Sequence, residues 1–159
     1  MSRTQLVAWL DDAYAMESGL IPILQTHAGV FESTLPEAAA RLREHISETR
    51  KHADRLEQCL RTLGSSPSTA KSTVSAMMGT VEGLSTSIFR DELVKNTLAD
   101  YGAEQFEVAC YVALVTAAMK LGYPDIAHLC EENLKEDEAM ALWLKQQLPA
   151  AVNVMLARQ

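Results

Sequence analysis

His45, Glu48 and His52 place two imidazoles and a carboxylate within eight residues of one another. On a helix turning about 100° per residue, Glu48 stands about 60° from His45 and about 40° from His52, so all three side chains can enter one space. Further acids fall near the middle of other periodic segments: Glu17, the pair Glu104 and Glu107, and Glu136 at the head of Glu136-Asp137-Glu138. Imidazole and carboxylate together are a donor set for iron, manganese or zinc, and a cation would offset the cost of burying several acids side by side. Di-metal helical bundles use Glu-x-x-His on two helices. Here the order is reversed, His45-x-x-Glu48, and Glu104-x-x-Glu107 pairs two acids. Within the triplet, His45 reads as a packing or supporting histidine, and Glu48 and His52 as the ligands.

These residues need helices to carry them. Leu35, Ala38, Leu42, His45, Thr49, His52, Leu56, Cys59 and Leu63 recur at steps of three and four, which predicts a helix over 35–63. Thr34 with Glu37 resembles a capping box, Pro36 suits a first turn, and Gly64 suits a helix end. Before it, Leu6, Leu10, Ala13, Glu17, Ile21 and Leu24 predict a helix over 4–27, with Pro22 as a kink and 28–34 as a loop. A shorter helix is expected over 73–84. Val94, Leu98, Tyr101, Gln105, Val108, Val112, Val115 and Met119 then form a regular stripe with Gln105 as its polar member, ended by Gly122 and Pro124. The last long helix is expected over 125–148, closed by Pro149, with a short apolar helix in the tail. Four long amphipathic helices imply an all-α fold, an antiparallel bundle with one additional shorter helix, within a single domain over 1–159.

Composition limits the functions available. With 14 basic and 21 acidic residues and a net charge of -7, the surface does not suit nucleic acid or an anionic membrane. No apolar run reaches a membrane span, and no signal-peptide pattern opens the chain. Three cysteines, Cys59, Cys110 and Cys130, without paired spacing, suit reduced thiols in the cytoplasm. The same three and the Met77-Met78 pair read as core filler, and His27 and His128 as surface or helix-end residues.

Several segments resemble the YciE/YciF-type ferritin-like family, formerly a domain of unknown function. The likeness runs through Asp12-Ala13-Tyr14 with Glu17, His45-Ile46-Ser47-Glu48-Thr49 continuing to His52 and Arg55-Leu56-Glu57, and Ala76-Met77 with Glu82. It continues through Glu104-Gln105-Phe106-Glu107-Val108-Ala109 to Tyr111, then Leu121-Gly122-Tyr123 and Leu134-Lys135-Glu136. The resemblance implies a ferritin-like bundle, often a homodimer, with a di-metal site, no settled activity and links to stress responses. It adds Glu82 to the metal candidates Glu17, Glu48, His52, Glu104, Glu107 and Glu136. Gln105 stands where relatives usually have histidine, and Ala141 where they usually have aspartate; a glutamate usual near Met78 is missing. Two readings follow. One is a di-metal, most simply iron, carboxylate protein using oxygen or peroxide. The other is a metal-free ferritin-like scaffold acting through dimerisation or partner binding.

Overall fold

Ser2 starts the first helix by a reciprocal cap: its hydroxyl accepts from the Gln5 backbone N–H, and the Gln5 side chain accepts from the Ser2 N–H, both at 3.3 Å. The computed structural model describes residues 1–68 and 91–157. Among them are four long helices: α1 (Arg3–Phe31), α2 (Pro36–Thr62), α3 (Glu92–Lys120) and α4 (Pro124–Ala157). The expected helix over 73–84, with Glu82, Met77 and Met78, lies outside the described residues.

Helix ends correct several expectations. α1 does not stop at residue 27 but runs to Phe31, because Ala28 and Phe31 bury in the core and His27 is buried opposite α3. His27 is therefore not a surface residue, whereas His128 is exposed. α2 begins at Pro36 behind Leu35, which makes no side-chain cap; the turn is closed instead by the Leu35 N–H on the Phe31 carbonyl at 2.8 Å. Pro149 does not close α4. Its ring is exposed, and the turn beyond it places Ala151 and Val154 on the core, a gain that outweighs one lost backbone bond. Gly64 (φ 66°) and Gly122 (φ 79°) do end their helices. In each case the next residue returns its N–H to the last turn, Ser65 to Leu60 O and Tyr123 to Ala118 O, both at 2.9 Å.

Side-chain pairs fix the directions. Glu17 meets Tyr111 while His27 meets Asp100, so α1 and α3 are antiparallel. His52 meets Glu136 while Arg55 meets Asn133 and Glu132, so α2 and α4 are antiparallel. α1 packs mainly on α2, and α3 on α4. The order is up, down, down, up.

Apolar residues gather in two clusters. One holds Leu6, Leu10, Leu56, Leu60, Leu114 and Ile126; the other holds Leu20, Leu24, Phe31, Leu42, Met140 and Leu144. A fully buried leucine contributes roughly 2 kcal/mol, so both ends of the bundle are strongly held. Between them lies a polar layer.

Candidate metal centre

The α2 seam delivers the imidazoles to that layer. Leu42, His45, Thr49, His52, Leu56 and Cys59 are all buried, and Thr49 turns its hydroxyl back to the His45 carbonyl at 3.1 Å, leaving the interior to the two rings. Glu17 enters from α1, Glu104 and Glu107 from α3, and Asp137 from α4; none is more than 2% exposed.

Two groups of possible ligand atoms result. One nitrogen or oxygen each from Glu17, His52 and Asp137 lie within 4.8 Å of one another, and so do atoms of His45, Glu104 and Asp137. Asp137 belongs to both. His52 Nδ1 stands 3.3 Å from Glu17 Oε1 and 3.4 Å from Asp137 Oδ1, while His45 Nε2 is 2.8 Å from Glu104 Oε1. Tyr111 donates its hydroxyl to Glu17 Oε1 and accepts from Asn133 Nδ2 at 2.9 Å.

The donors fit a cation. Among the described residues, the buried side-chain atoms lacking a hydrogen-bond partner are Glu17 Oε2, His52 Nδ1, Glu104 Oε2, both Asp137 oxygens, His27 Nε2 and Asp100 Oδ2. All but the last two belong to the two groups, and native interiors seldom leave so many polar atoms unsatisfied in one place. Three carboxylates and two imidazoles suit a divalent transition metal.

Electrostatics agree. Burial, then the charges of Glu17 and Glu104, push the Asp137 carboxyl up to about 10. Burial and the charge of Glu17 likewise hold Glu107 well above the usual carboxylate range, and burial raises Glu104 against the opposing pull of His45. Burial opposes a charge on His45, but Glu104 and Glu48 outweigh it and push its pKa up to about 10. The layer holds acids that resist ionising together, a situation a divalent ion would relieve.

Of the residues expected from sequence, Glu17, His52 and Glu104 fall in the two groups. Glu107 is buried beside them. Glu48 and Glu136 stand outside both groups, half-buried, each between a histidine and an arginine. Glu48 Oε2 accepts from His45 Nδ1 at 2.9 Å and from both terminal nitrogens of Arg41 at 3.1 Å. Glu136 accepts from His52 Nε2 at 2.7 Å and from Arg55 Nη1 and Nη2 at 3.1 Å.

His45, expected to pack or support, is in a group. Asp137 was hidden by its acidic neighbours, although Cys130, Asn133, Asp137, Met140 and Leu144, all buried, follow the spacing of a core stripe. A second buried pair also escapes the sequence: His27 Nδ1 and Asp100 Oδ1 lie 2.6 Å apart, and burial raises the Asp100 pKa against the pull of His27.

The stripe expected on α3 lies beside the inward face rather than on it: Val94, Tyr101 and Val115 pack at the core's edge. Leu98, Val112 and Met119 are 49%, 49% and 59% exposed, and Gln105 is exposed with them. The inward face is instead Leu93, Asp100, Glu104, Glu107, Tyr111 and Leu114. Gln105 is thus no partner of the α2 histidines. Ala141 is buried one turn beyond Asp137.

Residues 2–157 match the model of a family described as a domain of unknown function, DUF892. The chain belongs to this family. A solved structure from Xanthomonas campestris pv. campestris is 33% identical, covering 99% of this chain and 98% of its own, with a TM-score of 0.83. The E. coli stress protein YciF is 23% identical over 94% of this chain and 96% of its own, with a TM-score of 0.80. A structure of ferritin-like, diiron-carboxylate proteins from Bacillus anthracis is 17% identical over 93% and 99%, with a TM-score of 0.68. These last two share the fold. Over its described residues the DUF892 chain is thus an all-α, ferritin-like bundle of four long helices carrying a candidate di-metal carboxylate site. No helix among its described residues is long and apolar enough to cross a membrane.

Proposed function

We propose that the chain binds two divalent ions, iron in the cell, through Glu17, His52 and Asp137 on one side and His45, Glu104 and Asp137 on the other, with Glu107 alongside. The observation that carries this is the convergence of unpartnered atoms from Glu17, His52, Glu104 and Asp137 in one buried layer. Bound iron would supply redox chemistry with dioxygen or peroxide. The chain's own part is to hold the donors in place and exclude water: Tyr111 fixes one oxygen of Glu17, and the two apolar clusters seal the layer from both ends. The E. coli relative's description as a stress protein supports a role in handling iron or peroxide under stress. The three free cysteines suit a cytoplasmic setting.

Metal analysis of protein purified without chelator tests this. Two equivalents per chain after anaerobic iron loading are expected, and Asp137→Asn should lower the occupancy of both positions, since it serves both. Clearly substoichiometric metal in the unaltered protein after loading would refute the reading.

A second reading concerns the surface. The exposed stripe of Leu98, Val112 and Met119, flanked by the half-buried Tyr101, Val108 and Val115, has the three-four spacing of a helix-pairing seam. Such a face supports homodimerisation through α3, whether or not metal is bound. Val112→Glu should convert a dimer into a monomer in analytical ultracentrifugation without loss of helix content. A monomeric unaltered protein would rule the dimer out.

A further inference from the structure

Glu48 and Glu136 occupy equivalent places on opposite sides of the polar layer. Each takes a hydrogen bond from the outward nitrogen of one buried histidine, and each is itself gripped by one arginine. The outward nitrogens differ: Nδ1 of His45 meets Glu48 at 2.9 Å, whereas Nε2 of His52 meets Glu136 at 2.7 Å. The inward nitrogens differ correspondingly, Nε2 of His45 toward Glu104 and Nδ1 of His52 toward Glu17 and Asp137. Both arginines are only partly exposed, 21% each. Each makes two hydrogen bonds to its glutamate, a geometry that fixes the carboxylate rather than merely neutralising it. Arg55 also donates to Asn133 Oδ1 at 2.9 Å. Through Asn133 and Tyr111 it therefore steadies Glu17 as well as His52.

A histidine that binds a metal through one nitrogen needs the other to carry the proton, and an outer carboxylate that accepts this proton sets the tautomer, the ring angle and the basicity of the binding nitrogen. Resting on the metal reading above, we propose that Arg41–Glu48 and Arg55–Glu136 are two orienting arms that set the histidines in opposite tautomers, so that His45 binds metal through Nε2 and His52 through Nδ1. Glu48 and Glu136 are positioning residues and do not touch the metal. Their partial exposure fits this place: an outer carboxylate paired with a partly solvated arginine keeps its charge at little cost, while the inner acids rely on the ion. The arrangement also makes the two metal positions chemically unequal, since the two imidazole nitrogens approach from differently shaped sides of the ring.

Long-range 1H–15N correlation spectroscopy on 15N-histidine protein loaded with zinc(II) reads the tautomers directly. The expected result is a zinc-bound Nε2 with protonated Nδ1 in His45 and the reverse in His52. Glu48→Ala and Glu136→Ala should each weaken zinc binding at the position of the histidine they hold by about 10- to 100-fold. Glu48→Gln and Glu136→Gln, whose amide oxygen still accepts the imidazole proton, should recover most of that loss. Failure of the unaltered protein to take up zinc would remove the metal reading and this inference together. Zinc uptake with both histidines bound through the same kind of nitrogen, or with Ala and Gln variants equally impaired, would overturn the inference alone. Thermal melting of the zinc-free variants separates a folding defect from a lost orientation: the Gln variants should melt close to the unaltered protein.

Discussion

Asp137, Glu48 and His45 respond to pH in different directions. The folded pKa of Asp137, about 10 against an ordinary 3.8, means that the unfolded chain releases this proton first, so stability falls as pH rises from about 4 toward 10. His45 is raised from 6.5 to about 10; its contribution is complete below 6.5 and is lost as pH climbs through 10. Glu48 is lowered from 4.5 to about 2 by its bond from His45, with Arg41 helping, so its contribution is present above 4.5 and lost as pH falls toward 2. The metal-free protein should therefore be most stable at about pH 4 to 5 and melt at steadily lower temperature from there up to pH 10. Calorimetry of chelator-treated protein across that range checks this; a maximum above pH 8 would contradict it. Metal affinity should move the opposite way, rising with pH, because the ion displaces the protons of His45 and Asp137. At this scale His52 and Glu17 were legible in the sequence, since polar residues interrupt otherwise apolar seams, whereas His45 was read as a supporting residue. Asp137 was not, because an acid flanked by acids looks solvated until the turn of α4 singles it out.

Among the elements, α2 followed its pattern almost residue by residue, having one apolar stripe and a clear end at Gly64. α3 has two stripes about a third of a turn apart, and the more hydrophobic one lies at the edge of the core with Leu98, Val112 and Met119 exposed. Periodicity weighs hydrophobicity, and the inner face of α3 carries Asp100, Glu104 and Glu107; a helix that brings ligands to a core dilutes the signal by which its core face is recognised. Pro149 misled for a different reason. Pro149 is exposed, yet the turn that follows it sets Ala151 on the core, so packing overrides the local break. Pro149→Ala should restore a backbone hydrogen bond at an exposed position, stabilising the protein by about 1–2 kcal/mol. Denaturant titration would register this as a higher midpoint with an unchanged slope; a lower midpoint would mean that proline's stiffening of the unfolded chain dominates.

At the scale of the whole molecule, the fold class and the four long helices among the described residues follow from four long amphipathic segments, whereas the up, down, down, up order rests on pairs such as Glu17 with Tyr111 and His52 with Glu136 that no local pattern encodes. α1 with α2 and α3 with α4 are two hairpins, and each candidate metal group draws on both: Glu17 and His52 with Asp137, His45 with Glu104 and Asp137. An ion at one hundred times its dissociation constant adds about 2.7 kcal/mol to folding stability, and here that gain acts across the seam between the hairpins. Amide hydrogen exchange should report the consequence. Without metal, the hairpins open as separate units, and the amides around His52 and Asp137 exchange through partings of the seam. With metal, those partings are suppressed and the protected amides of all four helices exchange together, through global unfolding alone.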